Sequence, residues 1–176
     1  MVAEDAYMIV FRLIHVLAGV LWVGGVFMVV AFLQPGAARL GPAAGPFLQE
    51  MMARRQLPRF LVSMGGLTVL SGLFLYARDW WVAGSLGDWV GSTFGAVLTV
   101  GAVAALIALL IGGLGARPTI ERTLALGREL AAAEGPPPAE RAAELQALQA
   151  RGRALTRAAL GFLLVAVVAM ATARSW

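Results

Sequence analysis

Two side chains with chemistry to offer sit three residues apart in the apolar run FRLIHVLAGVLWVGG. They are Arg12 and His15, and His15 is the only histidine in the chain. Residues at i and i+3 share a helical face, and each of these is costly in hydrocarbon, so the pair needs a reason to be there. Three roles are open to an intramembrane imidazole. It can hydrogen-bond Thr68, Ser71 or Thr99 and specify helix packing, ligate a haem iron or another metal, or relay protons. Arg12 lies one turn nearer the chain start. It can snorkel to the interface and meet Glu4, Asp5 or Asp79, or it can hold an anion. With iron on His15, that anion is a haem propionate.

Ligand arithmetic narrows the metal option. One histidine and no cysteine cannot supply bis-histidine haem or a three-histidine zinc site from one chain. A haem on His15 is then five-coordinate, paired with methionine, or shared with a second subunit's histidine, as in a homodimer or larger membrane complex. The intramembrane methionines are Met8, Met28, Met64 and Met170. Met8 shares the helix and roughly the face of His15, which leaves Met64 and Met170 as candidates for the opposite ligand. Methionine also simply fills core. Gly19, on the His15 face, opens a gap for a neighbouring helix or for a flat ligand. The candidate cofactor site is His15, Arg12, Gly19, Met64 and Met170, with His15 as the metal ligand.

These residues must be positioned by membrane helices. The 176-residue chain is 60% hydrophobic and 14% charged, against roughly a quarter charged in soluble proteins. That leaves too little polar surface for solubility. All 14 basic residues are arginine, which excludes Schiff-base and lysine acid–base chemistry. Thiol catalysis and disulfides are excluded with cysteine. The arginines cluster beside apolar runs rather than along a soluble face, so membrane topology explains the net charge of +4 and nucleic acid does not. Glu4 and Asp5 precede the first apolar run without a basic region or cleavage site, so it reads as a retained helix rather than a signal peptide.

Four stretches reach the roughly 20 apolar residues that a span needs: 7–33, 58–76, 93–114 and 155–173. Pro35 is expected to stop the first helix, and Pro58 suits the start of the second. The chain is therefore an all-α polytopic membrane protein, a single integral membrane domain built as a four-transmembrane-helix bundle. Arg39, Arg54 and Arg55 lie in the first connection. Arg117, Arg122, Arg128, Arg141, Arg151 and Arg153 lie in the third. The second connection and the termini hold almost none. The positive-inside rule makes the first and third connections cytoplasmic, with both termini outside.

The third connection, 115–154, reads as a cytoplasmic helical hairpin broken at Gly135–Pro138. It is a solubilising extension of the third and fourth spans or a partner-docking element. Trp80, Trp81 and Trp89 in the outer connection read as interface anchors, with a quinone or partner edge as the alternative. Glycines recur in the spans, among them Gly65, Gly66, Gly72 and Gly101, and they let helices approach closely.

The runs LIHVLAGVLWVGGVFMV and RRQLPRFLVSMGGLTVLSGLFLY, and more weakly RALTRAALGFLLVAVVAMATAR, resemble the CopD-like and HemJ-like superfamily of small multi-helix bacterial membrane proteins. The resemblance implies a compact helical bundle. For the HemJ branch it implies haem b with the first-helix histidine, matched here by His15, as a ligand. That branch oxidises protoporphyrinogen IX and relies on a lysine near the start of the third helix. GSTFGAVLTVG stands there in a chain without lysine, so the resemblance favours haem contact over that oxidation. For the CopD branch it implies copper handling, which wants closely spaced methionine or cysteine.

The sequence thus leads to a bacterial inner-membrane protein that binds haem b through His15 and serves electron transfer or a respiratory or haem-related complex. An accessory or scaffold subunit without its own cofactor is the first alternative, and a copper or small-solute transport protein the second.

Overall fold

The computed structural model describes residues 2–133 and 135–175, with the side chains of 6–41, 43–133 and 135–175. Glu4 and Asp5, named above as partners for Arg12, have side chains outside the described ones.

Four helices are long and apolar enough to cross a membrane. They are α1 (Ala6–Leu40), α2 (Leu57–Ala83), α3 (Thr93–Ala132) and α4 (Ala139–Ser175). No strand occurs among the described residues. The chain is an all-α, multi-pass membrane protein. α1 packs chiefly on α2 and α3 on α4, while contacts of α2 with α3 and of α1 with α4 close the ring. Its centre is small-residue rich: Trp22, Val26, Val69, Ala104, Ala105, Ala108, Leu163 and Ala166. The outside is apolar instead of polar, with Ile9, Leu13, Val16, Leu17 and Val20 each more than half exposed on α1 alone. In water such a surface would aggregate; against acyl chains it costs nothing.

Pro35 does not stop α1. The helix widens into a π-turn at Val29–Leu33, where the Gln34 N–H reaches back five residues to the Val29 carbonyl, and then continues through Gln34–Leu40. A proline in a regular helix drives its ring into a carbonyl one turn back; the wider turn moves those carbonyls aside. The same device recurs in α3. A π-turn at Ile111–Ala116 precedes Pro118, and the helix runs on to Ala132. The third span therefore extends without a break into one arm of the 115–154 hairpin, and α4 supplies the other arm. Gly135, at a φ of +94°, lies in the turn between them.

α2 also outruns its expected end, carrying Arg78, Asp79, Trp80 and Trp81 on the same helix to Ala83. α3 starts where expected. The Ser92 hydroxyl accepts from the Gly95 N–H, capping the helix that begins at Thr93.

Candidate functional site

The buried positions of α1 fall at Met8, Ala18, Trp22, Val26 and Val29, with Phe11 and His15 half-buried on the same line. That is the alternating three- and four-residue spacing of a packed helix seam. His15 is therefore placed against α2 by the same pattern that places Trp22. Each of the two rings meets a glycine. A Cβ on Gly72 would stand 2.7 Å from His15 Cε1, and one on Gly65 would stand 2.7 Å from Trp22 Cε2. The interval of seven runs forward on α1 (15 to 22) and backward on α2 (72 to 65), as antiparallel packing requires.

Docking on Gly72 brings His15 Nδ1 to 2.8 Å from the backbone carbonyl of Thr68. A carbonyl only accepts, so Nδ1 is the donor, and in the neutral ring Nε2 then holds the lone pair. Nε2 has no hydrogen bond among the described residues. The partner is neither of the hydroxyls on α2 nor Thr99. The Thr68 hydroxyl donates to the Met64 carbonyl, Ser71 donates to Leu67 and Thr68 carbonyls, and Thr99 bonds Tyr76. Each hydroxyl is satisfied within its own region, which frees the imidazole's second nitrogen.

His15 lines a cavity of about 250 Å³ that is partly open and mostly apolar. Arg12 lines it too, as do Met8, Met170, Asp79 and Arg174. The candidates divide accordingly. His15, Arg12 and Met170 come together. Met64 does not: it packs against the central cluster around Trp22 and Val69. A Cβ on Gly19 would meet the Thr68 methyl at an ordinary 3.5 Å, so this position lies against α2, and Gly19 does not line the His15 cavity. Met8, set aside because it shares the helix of His15, does line the cavity. Two helical turns on one face leave its flexible side chain within the same pocket wall.

Sequence reasoning missed Gly72 and Arg174. Gly72 stood among many span glycines, and what singles it out is its register opposite His15. Arg174 lies in the last turn of α4, and only the up-down path brings that turn beside the first turns of α1 at the cavity. Asp79 lies 3.5 Å from Arg78 and remains partly exposed.

The tryptophans separate as well. Trp81 is 86% exposed, whereas Trp89 is 6% exposed. Trp89 packs edge-on against Tyr76 and Phe94, so it braces the cavity wall that Tyr76 forms. Below Trp22 a second cavity of about 60 Å³ reaches Thr156 and Arg117. It has room for no more than a few waters.

No protein-family profile, no curated protein and no solved structure matches this chain.

Proposed function

We propose that the protein binds b-type haem in the membrane through His15 Nε2 and serves electron transfer in, or haem delivery to, a respiratory membrane complex. One observation carries this reading: Nδ1 is held by a backbone carbonyl, which leaves Nε2 without a hydrogen bond among the described residues on a ring that lines a mostly apolar cavity. A histidine ligand is normally oriented in this way, with its second nitrogen donating to a carbonyl or carboxylate.

The donor set fits a haem. Nε2 would supply a nitrogen ligand to the iron, and the Nδ1–H···O bond fixes the orientation of the ring. Arg12 and Arg174 supply cations for two propionates, and Met170 or Met8 offers a thioether. The cavity's volume of about 250 Å³ lies just under the roughly 300–1,000 Å³ of pockets that bury a drug-sized ligand. A porphyrin would therefore keep part of its ring in the open side of the cavity. When bound, the iron supplies one-electron chemistry. The protein's own residues orient it, neutralise its carboxylates and keep water from its apolar edge.

A second reading rests on a different observation. His15, Met8 and Met170 line one cavity, an imidazole and two soft thioethers that suit copper(I). In this reading the protein handles copper, and the arginines have no ligand role.

The topology belongs to the same proposal. Arginine-rich first and third connections face the cytoplasm of a bacterial inner membrane, both termini lie outside, and the His15 cavity opens in the outer half of the bilayer. Absorption spectra of protein purified from haem-supplied cells test the first reading. A Soret band is expected, whereas a colourless preparation retaining copper would replace haem with the second.

A further inference from the structure

The fourth helix carries positive charge at the start of its apolar run. Gly152, Thr156, Ala159, Leu163, Ala166 and Ala173 form its buried stripe, the spacing of a single packed face. Arg153 and Arg157 lie off that stripe, four residues apart and both exposed. Arg157 shares its side of the helix with Leu164 and Val168, which are 48% and 61% exposed and face acyl chains. The two arginines thus stand at the head of an exposed apolar face.

Among the described residues, the carboxylates at this end that form ion pairs do so with other arginines. Glu50 pairs with Arg54 and Arg55, Glu121 with Arg117, and Glu129 and Glu144 with Arg141. Glu140 lies about 20 Å along the helix from Arg153. Among the described residues, Arg153 and Arg157 form no ion pair. Like charges at i and i+4 repel each other, and an anion between them reverses that cost. The anion available at the edge of a lipid-facing helix is a phospholipid phosphate, and the planar guanidinium fork matches phosphate oxygens.

We propose that Arg153 and Arg157 form a binding site for the phosphate of an anionic phospholipid whose acyl chains lie along Leu164 and Val168. Each arginine at a charged lipid surface is worth about 1 kcal/mol, so the pair should favour an anionic lipid by about thirtyfold. The site is independent of the His15 cavity.

The full-length protein in detergent micelles, offered equal phosphatidylglycerol and phosphatidylcholine, is read by native mass spectrometry. The wild type is expected to retain phosphatidylglycerol in preference, and R153Q/R157Q to retain the two lipids equally. R54Q/R55Q, which alters arginines engaged by Glu50, is expected to keep the wild-type preference. If R153Q/R157Q gives no folded preparation, R157Q alone should lower the preference about fivefold. Equal retention of both lipids by the wild type, or an unchanged preference in the arginine variants, would overturn the site. Displacement of the bound lipid by millimolar inorganic phosphate would overturn its assignment to a lipid.

Discussion

The imidazole of His15 occupies the space that any side chain at residue 72 would need. A Cβ on Gly72 would lie 2.7 Å from Cε1 and 3.0 Å from Nδ1. The ring is held by two constraints at once, the glycine slot and the Thr68 carbonyl, and either alone would leave it free to turn.

Gly72→Ala therefore displaces the ring and breaks the Nδ1–H···O bond. Overpacking of this kind costs about 1–3 kcal/mol, which a four-helix bundle can absorb. The expected result is a folded protein that no longer retains haem. Gly66→Ala, at a position with open space around it, keeps both fold and spectrum. Size-exclusion profiles with absorbance at the Soret wavelength read both properties together.

Gly65→Ala acts on Trp22 instead. A Cβ there meets Trp22 at 2.7 and 2.9 Å and Leu109 at 3.0 Å, within the central cluster. Thermal unfolding in detergent should show a loss of about 1–3 kcal/mol, against a change within about 0.5 kcal/mol for Gly24→Ala on the lipid-facing side. Equal stability of the two variants would contradict the packing described.

Charge at the cavity mouth has a sign that can be checked. Arg12→Gln and Arg174→Gln each remove a cation and should weaken haem retention by about tenfold. Asp79→Asn removes the anion that lines the same cavity and should strengthen it. Dissociation rates to a haem-scavenging protein measure all three. Weakening by all three would point to general loss of structure rather than to propionate recognition.

The spans and their hydropathy were legible in the sequence, because twenty apolar residues have few alternatives in a membrane protein. The path of the chain through Pro35 was not. Sequence gives the missing N–H of a proline, but not the π-turn that accommodates it. His15 and Arg12 could be found from type and spacing alone. Gly72, Arg174 and Met8 could not, since each matters through its register on another helix, and hydropathy carries no register. Trp89 shows the same limit: the three tryptophans of the second connection read alike until a short helix at Leu86–Gly91 turns one of them inward.

The methionines separate the two readings of the cavity. Replacing both thioethers in Met8→Leu/Met170→Leu should abolish copper(I) retention if copper is the ligand, because His15 alone holds a soft cation poorly. Haem would remain on His15 with its spectrum shifted or unchanged. Met64→Leu, within the core, should affect neither. Metal content and optical spectra of the same preparations make the comparison.

The central claim is that His15 Nε2 is the ligand, and substitution with chemical rescue tests it most directly. Haem-supplied wild type should show a Soret band with a reduced-minus-oxidised haem b spectrum. His15→Gly should lose it and regain it when imidazole is added to the purified protein. A band that survives unchanged in His15→Gly, or a wild type that stays colourless after haem supply, would contradict the account.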